Sequence, residues 1–151
     1  MRRFLLTAVM ATGFAASLPA AAQFQKPEDA VAYRRSVFTV MGTHFGRIGA
    51  MVNGKLPYDA AAVTANAEIV EMMSKLPYAA FPAGTEGTKK GEPKPNVWTE
   101  RAKFDEAAKK MQGEVVKLVA AARAGNAGDV KTAFGAAGSA CKACHDDFRN
   151  K

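Results

Sequence analysis

The sequence is poor in the residues that most often build an active or metal centre. It has two cysteines, two histidines and one tryptophan in 151 residues. A disulfide-stapled scaffold is excluded, because at most one bridge is available. A structural zinc site needs about four ligands, and Cys141, Cys144, His145 and the distant His44 make a thin set. Strand patterns are absent too: no stretch alternates apolar and polar residues between turn signals. After the first 22 residues no apolar run is long enough to span a bilayer. The formal charge is +7, but the lysines are scattered and form no basic stripe with interleaved aromatics. Nucleic-acid binding is therefore not read from it, nor is membrane association.

The N-terminal stretch reads as a removable export signal. Arg2 and Arg3 form a basic start, Phe4 to Ala16 an apolar core, and Ala20, Ala21 and Ala22 a small-residue cleavage pattern. Residues 1–22 are thus expected to be a signal peptide, and 23–151 one domain exported to the periplasm. Cleavage also removes two positive charges. The mild basic excess that remains suits an acidic redox partner.

The rest of the chain is organised around Cys141-Lys142-Ala143-Cys144-His145. This C-x-x-C-H spacing is the attachment signature of a c-type haem. Two thiols about one helical turn apart can add to the two vinyl groups of one porphyrin. The histidine that follows brings its imidazole beneath the same ring as the proximal iron ligand. A thioredoxin-like redox pair would want a strand and a βαβ setting, neither of which is visible.

Four helical segments are expected. The first runs from Pro27 to Val52, with Val31, Arg34, Phe38, Met41, Phe45, Ile48 and Val52 as a heptad seam. Gly42, Gly46 and Gly49 suggest close approach of another helix or a flat ring, or simply a tolerant helix. The second runs from an Asp59 N-cap to Leu76, its apolar face being Ala62, Ala65, Ile69, Met72 or Met73, and Leu76. A long Pro- and Gly-rich connection from Pro77 to Val97 follows, with Phe81 tucked against the core. The third helix is placed from Trp98 and Thr99, a candidate N-cap, to Gly125. Its seam is Phe104, Ala108, Met111, Val115, Leu118 and Ala122. The fourth runs from Asp129 to Asn150 and carries Val130, Phe134, Ala137, Cys141, Cys144 and Phe148 on one face. The expected fold is all-α, an antiparallel four-helix bundle with one covalent haem c attached near the C-terminus.

Arg34 is out of place in an apolar seam. A buried guanidinium needs an anion; a haem propionate fits, with Arg35 beside it, unless Arg34 snorkels to water. The sixth iron position decides function. His44 lies beside the seam and reads as a surface histidine. Met41 lies in it, as core packing or as a ligand. Phe38, one turn earlier, cannot ligate iron and would leave a five-coordinate haem behind an apolar guard. Such a pocket admits small uncharged diatomics and offers bound O₂ no hydrogen bond. Arg149 shares a helical face with His145, near the imidazole or simply at the helix end.

The opening QFQKPEDAVAYRR, the stretch SKLPYAAFPAGTEG and the ending AFGAAGSACKACHDDFRNK resemble the cytochrome c′ family, the high-spin class II c-type cytochromes. The resemblance spans essentially all of Gln23 to Lys151. It implies a periplasmic homodimer packed through the first two helices and a five-coordinate haem that binds NO and CO but not O₂. It also implies that His145 is the axial ligand, Cys141 and Cys144 are the thioether attachments, and Arg34, Arg35, Thr85 and Glu86 contact the haem edge. Arg149 takes the place of the basic residue next to the proximal histidine. Phe38 stands where close relatives carry leucine. The expected role is trapping or detoxification of NO with some electron-transfer capacity, and not enzymatic turnover, since no distal acid–base pair is present. The alternative is a six-coordinate His/Met electron carrier using Met41.

Overall fold

The structure, a computed structural model, describes residues 23–151. The expected signal peptide, residues 1–22, lies outside the described residues. Four long helices make up most of the described residues: α1 (Pro27–Val52), α2 (Ala60–Met73), α3 (Arg101–Ala124) and α4 (Ala127–Phe148). A 3₁₀ turn, Pro77–Ala80, and a single helical turn, Asn96–Thr99, punctuate the long connection between α2 and α3. The described residues contain no strand, only an isolated antiparallel bridge between Pro93 and Arg149. The architecture is the expected four-helix bundle.

Local chemistry sets the helix ends. Pro27 pre-forms the first turn of α1, with Glu28 and Asp29 facing the positive end of its dipole. Asp59 caps α2 by accepting from the Ala62 amide at 3.0 Å. Gly125 ends α3 in the left-handed region at φ 80°, where a side chain would be strained. Asn126 then caps α4 through the amides of Gly128 and Asp129. Thr99 does not cap α3. It belongs to the preceding turn, and Glu100 stands at the α3 N-cap without a side-chain capping bond.

The seam of α3 is as the spacing predicts: Phe104, Ala108, Met111, Val115, Leu118 and Ala122 are all buried; on α4 Val130, Ala137 and Phe148 are buried, and Phe134, Cys141 and Cys144 are half-buried. The face of α2 is not. Val63, Ala67 and Val70 are buried, whereas Met72 is 62% exposed and Leu76 38% exposed. Helix α2 is apolar on most sides, so periodicity alone does not select its inner face. It also stops at Met73, short of Leu76. Of the α1 glycines, Gly49 meets the Phe134 ring, 2.8 Å from where its Cβ would sit, while Gly42 and Gly46 have open space.

The core is divided along the bundle. At one end Ile48, Met51, Val63, Ala67, Leu118, Val119, Ala122 and Val130 form a closed cluster. At the other, α1 and α4 part to leave a cavity. The α2–α3 connection runs across that end as a strap.

Candidate functional site

The strap reaches the end of α4 through a set of main-chain and side-chain bonds. The Lys94 amide donates to Phe148 O at 2.9 Å, and its ammonium to Asp146 O at 2.8 Å and Asp147 O at 3.1 Å. These carbonyls have no partner within the helix, and a cation there also complements the dipole. Gly91 and Glu92 exchange main-chain bonds with Asn150, each at 2.9 Å. Glu92 then ties the strap to α1: its Oε1 accepts from Arg35 at 2.8 Å, and its Oε2 from the Thr88 and Lys89 amides at 3.1 and 2.9 Å. The Glu92 side chain fills the space a Cβ would need at Gly87, so position 87 requires glycine.

The cavity so enclosed measures about 870 Å³, within the range of about 300–1,000 Å³ usual for cofactor pockets. Cys141 and Cys144 line it from α4, and His145 stands where it joins a smaller recess beside Lys90 and Arg149. Phe38, Met41 and Gly42 line it from α1. The two cysteines are not joined to each other by a disulfide. Burial pushes the Cys141 thiol above its ordinary pKa, and burial with the neighbouring Cys141 and Asp147 pushes that of Cys144 up to about 11. A thioredoxin-like nucleophile needs the opposite shift. Desolvation, then the charge of Arg149, hold the His145 imidazole below its ordinary value, against Asp146, which raises it. It is therefore neutral at pH 7 and has a lone pair to offer a metal.

Arg34 does not snorkel. It is 4% exposed. Its guanidinium donates to Ala80 O at 3.1 Å, Thr85 Oγ1 at 2.7 Å and Thr85 O at 2.6 Å, and lies 4.6 Å over the Phe81 ring. These partners are neutral. Burial, and next Arg35, lower its ionisation, while the more distant Glu92 and Glu86 raise it. A buried cation with no contacting carboxylate thus faces the cavity. Arg35 lines the same edge from a largely exposed position, paired with Glu92.

Thr85 and Glu86 do not line the cavity. Thr85 is buried behind Arg34 and holds it, also donating to Pro82 O at 2.8 Å. Glu86 is exposed and turns back to the Gly84 amide at 3.2 Å. Both were expected at the haem edge; Thr85 supports Arg34, which lines the cavity, and Glu86 lies on the same turn. His44 is half-buried between α1 and α2, its Nδ1 2.7 Å from Asn66 Oδ1, and does not line the cavity. Met41 does, packed with the cluster of Val70, Met111, Val115 and Ala137. Arg149 donates to Gly91 O at 3.1 Å, beside His145.

Two residues escaped the sequence reading. Glu92 looks like one more charge in a loop and gives no local signal. Tyr78 lines the cavity; it follows the helix-stopping Pro77, and an amphipathic aromatic at a chain reversal is a signal that was available.

The donor set fits one group well. The cavity is mostly apolar, has two thiols a turn apart, a neutral imidazole next to them and an uncompensated cation at one edge. That is the complement of a flat apolar macrocycle with acidic substituents, attached by thioethers and ligated by His145. No described helix is long and apolar enough to cross a membrane.

Comparison with known proteins agrees. The family model described as Cytochrome C′ matches residues 29–149. Cytochrome c′ of Alcaligenes xylosoxydans xylosoxydans is 49% identical over 85% of this chain and 99% of its own. That of Rubrivivax gelatinosus is 47% identical over 85% of this chain and 100% of its own. Among solved structures, a leucine-to-isoleucine mutant of cytochrome c prime from Alcaligenes xylosoxidans, in complex with nitric oxide, superposes with a TM-score of 0.79. It is 47% identical and covers 85% of this chain and 100% of its own. The crystal structure of the Rubrivivax gelatinosus protein gives the same TM-score of 0.79 and 47% identity over the same shares of 85% and 100%.

Proposed function

The chain belongs to the cytochrome c′ family and binds haem c, and on that premise we propose that it is a periplasmic five-coordinate haem protein that captures NO, and also binds CO. Its role on this reading is to trap or detoxify nitric oxide, with some capacity to carry electrons and no enzymatic turnover. When bound, the haem iron supplies one open coordination position to a diatomic gas. Cys141 and Cys144 hold the group covalently, and His145 is the proximal ligand. Arg34 meets a propionate with its otherwise uncompensated charge, and Arg35 screens the same edge. Phe38 guards the side away from His145. Arg149, fixed by Gly91, stands beside the proximal imidazole.

The observation that carries the reading is the α1 wall of the cavity. Its lining residues include Phe38, which cannot ligate, and the second histidine of the chain is engaged with Asn66 outside the cavity. The nitric oxide complex of the Alcaligenes relative supports the choice of gas. Met41 favours a second reading, a six-coordinate electron carrier, because it lines the cavity; its packing in an apolar cluster already accounts for its place.

A homodimer through α1 and α2 is supported by apolar side chains left exposed on these helices and on the loop that joins them. Val40 is 39% exposed, Leu56 53%, Tyr58 37% and Met72 62%. Absorption spectra of the ferric and dithionite-reduced protein, with and without NO, test the reading. A broad high-spin ferrous band that changes on adding NO is expected. Sharp low-spin bands in the reduced protein would move the assignment to the Met41 carrier.

A further inference from the structure

The cavity opens to solvent along one line of α1. Arg35, Thr39 and Gly42 all line it and all are exposed. Their spacing, i, i+4 and i+7, puts them on one face of the helix. A Cβ on Gly42 would meet nothing within 4 Å, and the Thr39 hydroxyl is engaged with the Arg35 carbonyl one turn back, at 2.9 Å. This stripe of α1 leaves the mouth open. On the strap and at the end of α4, Lys89, Lys90 and Arg149 line the same cavity and are exposed too.

Charge at this mouth is one-sided. Five cations line the cavity, the buried Arg34 and the exposed Arg35, Lys89, Lys90 and Arg149, against one carboxylate, Glu92. Two acidic substituents of a bound haem would still leave two positive charges in excess. Glu92 pairs with Arg35 at 2.8 Å, and Asp146 nearby is taken up by Lys142 and Lys151. Lys89, Lys90 and Arg149 pair with no carboxylate among the described residues. None of the large apolar side chains left exposed lines the cavity. A membrane-surface site joins basic residues to an apolar face that enters the lipid; this rim has only the first. A charged rim without apolar anchors suits a brief, salt-dependent encounter with a protein of opposite charge.

We propose that this rim is the docking surface of an acidic one-electron carrier protein that reduces the ferric iron. The proposal deepens the gas-binding reading and rests on it for the electron's purpose, because CO binds ferrous haem. One electron leaves the carrier, which is oxidised by one electron, and ferric iron becomes ferrous; no proton or group moves. A carrier steered to the mouth at Thr39 and Gly42 meets the haem edge with no helix between.

The test uses the haem-loaded protein, with reduced flavodoxin, an acidic one-electron carrier, as the probe. Lys89→Gln/Lys90→Gln removes two rim charges and keeps the bond from the Lys89 amide to Glu92. Lys109→Gln/Lys110→Gln on α3 makes the same change of net charge away from the cavity. At low salt the rim variant should be reduced about three- to tenfold more slowly than wild type, and the α3 variant at the wild-type rate. The difference should vanish at about 1 M salt, where charges are screened beyond about 3 Å. Calorimetric titration of the ferric proteins with oxidised flavodoxin reads docking without electron transfer, and its dissociation constant should rise by a similar factor in the rim variant alone. Reduction by neutral lumiflavin semiquinone should be equal in all three, showing the iron itself unchanged. Equal flavodoxin rates and dissociation constants in the two variants would overturn the proposal. So would binding to phosphatidylglycerol vesicles at about 0.15 M salt that depends on Lys89 and Lys90 when flavodoxin binding does not, since the surface would then belong to lipid. Failure of the dithionite-reduced wild type to bind CO or NO would instead sink the gas-binding reading, while the flavodoxin titration still decides the docking surface.

Discussion

Replacing Arg34 with methionine separates the two jobs the structure gives this residue. The first is mechanical. Its guanidinium makes three hydrogen bonds, to Ala80 O, Thr85 Oγ1 and Thr85 O, and so pins the turn after Phe81 to α1. Charged hydrogen bonds contribute about 1.5–3 kcal/mol each before the desolvation recovered by removing the charge. Thr85 Oγ1 keeps its bond to Pro82 O; two buried carbonyls lose their donor. A net loss of about 3 kcal/mol follows, and a melting temperature lower by roughly 10 °C. The second job is electrostatic. A cation on the order of 10 Å from the iron, at an effective dielectric constant of about 20, contributes about 1.7 kcal/mol to the reduced form. Its removal should lower the reduction potential by about 70 mV. Arg34→Lys divides the two effects: it keeps the charge and loses the fork, so the potential should stay near wild type while the melting temperature falls. Thermal melts and redox titration of the three haem-loaded proteins read both. Equal potentials in wild type and Arg34→Met would refute the claim that this charge faces the haem edge. Equal melting temperatures would refute the strut.

Phe38→Ala should speed CO association by about tenfold, the effect of taking roughly 1.4 kcal/mol off a steric barrier; an unchanged flash-photolysis rate would mean that Phe38 does not guard the iron. Arg149→Ala removes the cation that helps hold the His145 imidazole neutral, and should change the NO end state or its kinetics by about two- to tenfold. Identical nitrosyl spectra and rates would remove Arg149 from the site. Hydrogen bonds from the Lys89 amide first, then the Arg35 charge and the Thr88 amide, hold the Glu92 carboxyl below its ordinary value of 4.5, against desolvation. Its contribution to the strap is therefore complete above that value and lost as the pH falls through its lowered value. Amide exchange at Thr88 and Lys89, corrected for its intrinsic pH dependence, should accelerate across that acid window in the wild type and show no such step in Glu92→Gln.

What was legible from sequence was what is local. C-x-x-C-H is a covalent motif and needs no fold to be recognised. The α3 seam was legible because charged residues separate its apolar positions along the helix, and the α4 seam because its large side chains, Val130, Phe134 and Phe148, and its two cysteines share one face among small residues. Helix α2 lacks that contrast: valine, isoleucine, alanine and methionine occupy several of its faces, and contact with α1 and α3 selects Val63, Ala67 and Val70. Arg34 announced itself as a charge in a seam, but its partners, Ala80 and Thr85, are 46 and 51 residues away along the chain. Where Thr85 and Glu86 stand relative to the cavity is likewise set by a turn of the strap, Thr85 meeting it through Arg34. Glu92 and Tyr78 reach the site only across that strap, so no spacing within one helix reveals them.

The division of the core explains why such a site is tolerated. Eight buried residues, from Ile48 on α1 to Val130 on α4, close one end of the bundle, and none of them lines the cavity. That end supplies packing that does not depend on the prosthetic group. The other end is opened by substituting cavity-lining side chains for contacts between α1 and α4, and it is held in shape by the strap. Glu92 ties the strap to Arg35 on α1, and Lys94 with Asn150 ties it to the end of α4. The helix with Phe38 and the helix with His145 are thus joined by a polar bridge along the rim of the cavity. Ligand access and proximal geometry can therefore be varied one residue at a time while the closed end keeps the bundle folded. Arg149→Ala should share the thermal stability of the wild type more closely than Arg34→Met does, because Arg149 is exposed and makes one bond to Gly91 O, whereas Arg34 holds the turn after Phe81 to α1.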